Sequence, residues 1–435
     1  MKVTMVGTGY VGLVTGTCLS SFGFEVICVD NNKAKIEGLE KGIIPIYEPG
    51  LDTLVDSNLK QGRLSFTTDL IGAVKQSEVV FLAVGTPSKQ NSEEADLTFL
   101  FNAAEEVAKA INHYTVIVIK STVPVGTCRR IKDFIKKTNP QADFDVTSNP
   151  EFLREGSAIE DFMRPDRVVV GAESERSRQV MDGLYKPLSL LETPVVFTTL
   201  ETSELSKYAS NAFLATKICF INQLADLSEK CGANVQHISK IMGLDHRIGK
   251  ECLHVGPGYG GSCFPKDTMA LSFFAKKFGT SVSIVDAVIT ANKDRKLQMA
   301  KKVISACGGS VKNKKIAILG VTFKPETDDI RDAPSLVIIP ELQRAGASIH
   351  ANDPASHEAE KVFSNVTWRP CPYEACAGAD AVVIMIEWNQ FRSLDFAKLK
   401  QIMKTPIMID LKNIYSVHEV ESAGFFYESI GRGKV

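Results

Sequence analysis

The chain has 435 residues, 44% of them hydrophobic and 23% charged, the make-up of an ordinary folded protein with room for two or three domains of ~150 residues. Fifty basic residues against 51 acidic ones leave a formal net charge of -1, which argues against a nucleic-acid binder, and no apolar run approaches the ~20 residues needed to span a bilayer. Ten cysteines without a single C-x-x-C pair point to a reduced, cytoplasmic protein with neither a disulfide framework nor a metal site.

The first residues, Met1-Lys2-Val3-Thr4-Met5-Val6-Gly7, enter a strand-like run directly and resemble no signal peptide. The first third then alternates β-branched runs with amphipathic stretches, as a parallel α/β sheet does. It predicts strands at 2–6, 25–29, 79–84, 115–119, 144–147 and 167–170, with helices such as 98–111 and 128–137. From 202 to about 230 there is no Gly or Pro, and apolar residues recur at helical spacing. A helix of ~28 residues would run ~40 Å, long enough to bridge two domains. A second such stretch, 282–306, is stopped by Cys307-Gly308-Gly309-Ser310. The alternation then resumes, with strands at 315–319, 348–350, 381–386 and 407–409 and helices at 334–345 and 396–403. The expected fold is α/β: two Rossmann-like doubly wound domains, 1–198 and 308–435, joined by a long central helix and helical connector over 199–307.

Gly7-Thr8-Gly9-Tyr10-Val11-Gly12 follows the first strand and opens a helix. Such glycines permit a tight turn and let backbone N–H groups approach a pyrophosphate. The next strand ends in Asp30, 18 residues beyond Gly12, where a carboxylate meets a ribose hydroxyl and repels the extra phosphate of NADP, so NAD is favoured. Gly85-Thr86-Pro87 and Ser121-Thr122-Val123-Pro124 each place a hydroxyl at the carboxyl edge of the sheet, although helix capping explains either one equally well.

The most unusual stretch is Gly258-Tyr259-Gly260-Gly261-Ser262-Cys263-Phe264-Pro265-Lys266-Asp267. Its glycines suit close approach of backbone to a ligand. A lone cysteine is usually a buried spectator, but this setting, with Lys266 and Asp267 just behind, points to a nucleophile. Asn149-Pro150-Glu151-Phe152-Leu153-Arg154-Glu155 presents two carboxylates four apart. Glu204, Lys207, Tyr208 and Asn211 form a polar stripe on the long helix, for which a solvated face is the ordinary explanation. Phe323-Lys324-Pro325 and Asp329-Ile330-Arg331-Asp332 follow the strand that opens the last domain, and their basic groups suit phosphates.

Taken together, Gly7–Gly12, Tyr47-Glu48-Pro49-Gly50-Leu51, Gly85–Pro87, Ser121–Gly126, Asn149–Gly156, Glu204–Asn211, Gly258–Asp267 and Gly320–Arg331 resemble the UDP-glucose/GDP-mannose dehydrogenase family along essentially the whole chain. Within that family, Ile46–Leu51 is most like bacterial members that act on UDP-glucose. The resemblance implies NAD-dependent four-electron oxidation of UDP-glucose to UDP-glucuronate, a precursor in polysaccharide biosynthesis, through a thiohemiacetal and thioester on Cys263. It implies oxyanion stabilisation by Lys207 and Asn211, a water held by Asp267 and Thr122, and Glu151 as the hydrolytic base with a raised pKa. Cofactor contacts would come from Gly7, Gly9, Tyr10, Val11, Gly12, Asp30, Lys35, Thr86, Thr122, Glu155, Lys266 and Arg331. Substrate contacts would come from Glu151, Phe152, Leu153, Arg154, Lys207, Asn211, Tyr259, Gly260 and Lys324. Arg247 would reach the neighbour's site in a homodimer. His254 departs from the Lys that some relatives carry. The competing readings are a GDP-mannose or UDP-N-acetylhexosamine 6-dehydrogenase, a dehydrogenase that stops at the aldehyde, and a non-catalytic nucleotide sensor; the last is disfavoured because Cys263, Lys207 and Asp267 are all present.

Overall fold

A computed structural model describes residues 1–87, 89 and 94–433; the last two residues of the predicted C-terminal domain fall outside it. The chain divides into two compact units, Met1–Ser210 and Asn211–Val435. The first is built on an eight-stranded sheet of β1 (Lys2–Val6), β2 (Glu25–Val29), β3 (Leu64–Thr67), β4 (Val79–Leu82), β5 (Thr115–Ile119), β6 (Phe144–Ser148), β7 (Val168–Gly171) and β8 (Val195–Thr198), in the order β3-β2-β1-β4-β5-β6-β7-β8. All neighbours are parallel except β6 and β7. The second sheet, β9 (Lys315–Leu319), β10 (Ser348–Asn352), β11 (Val366–Trp368), β12 (Ala381–Ile384), β13 (Ile407–Asp410) and β14 (Phe426–Ser429), is all parallel in the order β11-β10-β9-β12-β13-β14. Both repeat the 3-2-1-4-5-6 winding of dinucleotide-binding sheets.

Central strands are apolar on both faces because helices cover both. Along β5 the side chains alternate: Val116 and Val118 enter one core with Leu13, Leu19 and Leu184, while Ile117 and Ile119 enter the other with Leu100, Val107 and Ile131. The edge strands β3, β8, β11 and β14, only three or four residues each, are absent from the sequence expectation. The second core joins residues of the C-terminal sheet, such as Ile318 and Val383, to Ile221, Val235, Leu253, Met299 and Val303. By packing, therefore, the part of the helical connector after Ser210 shares a core with the last sheet. Among the described residues no helix is long and apolar enough to cross a membrane.

The strand ends of the two sheets are wired alike. Gly7 N–H donates to Val29 O and Gly320 N–H to Asn352 O. Asp30 accepts from the backbone and hydroxyl of Thr8, as Asp353 does from those of Thr322. The likeness ends there. The first sheet turns at once into the helix Tyr10–Ser21, whereas β9 leads into a long loop before the helix Ser335–Arg344.

The long helix, Leu200–Cys231, corrects the solvated-face explanation of its polar stripe: Glu204, Lys207, Tyr208 and Asn211 are all buried. Glu204 accepts from the N–H groups of Gly126 at 2.6 Å and Cys128 at 2.7 Å. It thereby serves the first turn of the helix Thr127–Thr138, whose N-cap, Gly126, has no side chain to do so. Burial pushes the Glu204 carboxyl up, more than these donors lower it. Glu204→Ala leaves two buried N–H groups unpaired. We expect a loss of about 2 kcal/mol, read as a lower Tm; an unchanged Tm would show that the helix needs no such cap.

Candidate active site

In the first unit, Gly9 is the N-cap of Tyr10–Ser21 and no side chain caps this helix end. A Cβ on Gly12 would lie 1.9 Å from Gly7 O, whereas one on Gly9 would meet nothing within 4 Å. Gly12 therefore serves the turn's own packing, and Gly9 leaves open space beside N–H groups that suit a pyrophosphate. Val11 stands in the first helical turn beside them. At the end of β2, Asp30 accepts from Asn32 N–H at 3.0 Å and from the Lys35 ammonium at 3.2 Å, besides Thr8. Partial burial works against its charge, but the Asn32 and Thr8 donors and Lys35 together hold its carboxyl below the usual range. Turn, acid and lysine thus fit the pyrophosphate and ribose of NAD. Thr86 donates its hydroxyl to Thr122 O at 2.8 Å, and Ser121 to Val84 O at 2.6 Å, so the two hydroxyl-bearing strand ends are fastened to each other.

Tyr10 donates its hydroxyl to Glu48. Gly156 N–H reaches both groups, at 2.9 Å from the phenol and 2.6 Å from the carboxylate, and Ala158 N–H adds a bond to Glu48 at 2.8 Å. Burial, then Glu48, pushes the Tyr10 phenol far above its ordinary range. Buried Glu48 thus ties the glycine turn to the loop that runs from Glu151 to Glu155 and Gly156. In the sequence Glu48 stands within Tyr47–Leu51, with nothing local to mark this role.

That loop presents a buried charge cluster. Glu151 lies 3.0 Å from the Lys207 ammonium and accepts from Leu153 N–H at 2.5 Å. Phe152 is flanked by two cations, with the Arg167 guanidinium 3.7 Å and the Lys207 ammonium 5.4 Å from its ring centre. The expected upward pKa shift of Glu151 is overturned. Burial alone would raise it, but Lys207, the Leu153 N–H and Lys120 outweigh burial and hold the carboxyl below its usual range. Arg154 is exposed and forked onto Asp161.

In the second unit, Cys263 is the N-cap of the helix Phe264–Lys277, and its carbonyl accepts from Asp267 N–H at 2.8 Å. Its sulfur is partly exposed, 3.4 Å from the Ser262 hydroxyl. It stands at the helix end where negative charge is stabilised. Asp267, 1% exposed, accepts from the Asn211 amide at 2.6 Å and meets the Lys266 ammonium at 3.0 Å. The structure thus brings Asn211 and Lys266 to Asp267, on the helix that Cys263 opens.

The glycines before the cysteine approach the protein's own chain. A Cβ on Gly260 would lie 2.5 Å from Asp332 O, and one on Gly261 would lie 2.8 Å from the Phe323 ring. Gly261 N–H donates to Arg331 O, and Lys296 braces Asp332 O. The cysteine loop is therefore clamped to the 323–333 loop that carries Lys324 and Arg331. Lys324 lies over the Phe323 ring, while Arg331 forks onto Asp329. Tyr259 is buried edge-on to Phe264. Arg247 is 79% exposed and paired to Asp245. His254 lines an open cavity of about 400 Å³ with Lys240, Lys250 and Lys412, a basic lining that suits an anionic ligand and that the sequence reading did not assemble. No metal-binding cluster occurs among the described residues. Gly260→Ala forces a methyl into backbone, and a loss of about 1–3 kcal/mol is expected in denaturant titration; wild-type stability would refute the clamp.

Residues 1–189 match the NAD binding domain of the UDP-glucose/GDP-mannose dehydrogenase family, 201–294 its central domain and 317–417 its UDP binding domain. The UDP-glucose 6-dehydrogenase of Rhizobium meliloti (strain 1021) is 55% identical, over 99% of this chain and 100% of its own. UDP-glucose 6-dehydrogenase TuaD of Bacillus subtilis (strain 168) is 44% identical, over 100% of this chain and 94% of its own. A solved UDP-glucose dehydrogenase from the archaeon Pyrobaculum islandicum superposes with a TM-score of 0.91 at 34% identity, covering 100% of this chain and 98% of that one. The chain belongs to the UDP-glucose/GDP-mannose dehydrogenase family.

Proposed function

We propose that this protein oxidises UDP-glucose to UDP-glucuronate with two NAD+ per turnover. The observation that carries the reading is Cys263 at the N-terminus of its helix, one turn from an Asp267 carboxylate held by Asn211 and Lys266. NAD+, when bound on the glycine turn with Asp30 and Lys35, supplies the acceptor for a hydride at each of two oxidation steps. The residues of the chain manage everything else.

Lys207 and Asn211, one turn apart on the long helix, supply an ammonium and an amide to the oxygen on the reacting carbon, where negative charge develops. Asp267, with Thr122, holds the water that takes the alcohol proton. At the aldehyde level the Cys263 sulfur adds to the carbonyl carbon and its proton passes to the oxygen, giving a thiohemiacetal that keeps the sugar on the enzyme. Loss of the second hydride, with the hydroxyl proton passing to the water held by Asp267 and Thr122, leaves a thioester. Glu151 takes a proton from water as that water attacks the thioester carbon, the C–S bond breaks, and the carboxylate leaves with the thiol restored. Phe152, Leu153, Arg154, Tyr259, Gly260 and Lys324 receive the nucleotide sugar, and Tyr10, Thr86, Glu155, Lys266 and Arg331 complete the cofactor contacts.

A homodimer is part of the same reading. Phe213, Phe220 and Leu227 are 65%, 48% and 59% exposed at seven-residue spacing on the long helix, an apolar stripe that a second copy would cover. Arg247, exposed on this unit, would then serve the neighbouring site.

Three outcomes are expected. With UDP-glucose, two NADH form per UDP-glucuronate, and Cys263→Ser abolishes the acid. Two NADH per sugar from the serine variant would refute the covalent route, and turnover of GDP-mannose without UDP-glucose would overturn the substrate. Because Glu151 is held below the ordinary carboxylate range, its base form persists on acidification. The acid limb of thioester hydrolysis therefore lies below that range, as a pH profile of single-turnover hydrolysis would show; a limb near neutrality would assign another base. Phe220→Glu shifts the protein to monomer in sedimentation velocity, and an unchanged mass would remove this helix from the interface.

A further inference from the structure

Glu151 faces two buried ammonium groups, Lys207 and Lys120. Lys120 immediately follows β5 and is 5% exposed. It donates to Asn149 Oδ1 at 3.0 Å. Asn149 is itself locked, since its amide donates to Val169 O at 2.8 Å and its Oδ1 also accepts from the Tyr185 hydroxyl. Lys120 and Glu151 line the same small cavity of about 30 Å³, with Asn149, Asp161, Tyr185 and Arg167, space for about one water. Burying an ammonium here is expensive, and an apolar side chain of similar length would fill the space without that cost. Burial brings the Lys120 ammonium down to about 8, with Glu151 raising it and Lys207 lowering it.

In the proposed reaction Lys207 has two anions to serve. It pairs with Glu151 in the free protein, and it stabilises the oxyanion on the reacting carbon. An ammonium drawn toward the oxyanion gives less to the carboxylate. Lys120 is tethered to Asn149, and the anion that acts on it is Glu151.

We propose that Lys120 is the standing counter-ion of Glu151, a positioning residue that keeps this carboxylate ionised while Lys207 is engaged by the oxyanion. The inference rests on the reading of Glu151 as the base of thioester hydrolysis. The cations that face Glu151 are Lys207 from the long helix, Lys120 from the end of β5 and Arg167 just before β7; a second carboxylate lining the cavity, Asp161, is forked by Arg154. Of these, Arg167 stacks on Phe152 and is partly exposed, which leaves Lys120 as the buried group not claimed by another task.

The test is single-turnover kinetics with UDP-glucose and NAD+, following the enzyme-bound sugar by mass spectrometry after acid quench. Removing Lys120 removes a charge that favours the carboxylate form of Glu151, so the base is lost at a higher pH. In Lys120→Met the acid limb of adduct breakdown is expected to move up by about one pH unit or more, with a ~10-fold slower breakdown at the foot of the wild-type limb. The first hydride step changes little, and Lys120→Arg returns the limb toward wild type. Lys120→Gln, which keeps a polar head beside Asn149, carries the same expectation should the methionine variant not fold. An unmoved limb in the uncharged variants overturns the proposal, as does a limb that stays shifted in Lys120→Arg, since packing and not charge would then be responsible. Glu151→Gln separates the two claims: if its adduct breaks down at the wild-type rate, the base assignment itself has failed. If its adduct accumulates while Lys120→Met keeps the wild-type limb, only the role of Lys120 has.

Discussion

A polar side chain on a buried helix face must find a partner, because an unpaired donor, acceptor or charge away from water costs more than most packing contacts return. The long helix buries Glu204, Lys207 and Asn211 along one side, and its partners organise much of the molecule. Glu204 completes the first turn of a helix that is otherwise uncapped. Lys207 neutralises the carboxylate at the end of the 149–151 segment. Asn211 holds the acid one turn behind the cysteine. One segment of regular helix thus reaches three separate pieces of chemistry, each set by its residue spacing of three or four.

The same accounting explains the electrostatics of the site. A glutamate in a dry pocket would ordinarily hold its proton, and that intuition lay behind the expectation of a raised pKa for Glu151. The pocket is buried, but it is also cationic. Lys207, Lys120 and the N–H of Leu153 reverse the sign. Environment here means the inventory of charges within a few ångströms, and burial alone does not decide it.

Much of the architecture was legible. β-Branched runs mark the central strands because those strands are buried on both faces, and the glycine turn, Asp30 and the Cys263 segment are local patterns with local causes. What escaped has partners far along the chain. Glu204 reads as solvated until Gly126 and Cys128, more than seventy residues away, are brought to it. Gly260 and Gly261 read as ligand-facing until the 323–333 loop is laid against them. Lys120 sits next to two hydroxyl residues at a strand end, where a lysine reads as a surface group. Its burial depends on Asn149, Phe162 and Tyr185, which only the fold assembles. The edge strands carry exposed or half-buried positions, which break the continuous apolar run that marks the equally short β4, β7 and β12.

The two sheets share a strand order, yet their second-strand acids are in different positions. Asp30 keeps the partly exposed Lys35 as one partner and stays partly open. Asp353 is 5% exposed and saturated by the N–H groups of Val321, Thr322 and Ala355, the Thr322 hydroxyl and the Trp388 indole. No glycine-led helix follows β9 to receive a pyrophosphate. The duplicated winding is therefore a scaffold with one dinucleotide seat, not two. An engineer who wished to move cofactor binding to the second half would have to free that aspartate and rebuild the turn after β9, since the strand order that the halves share recognises nothing by itself.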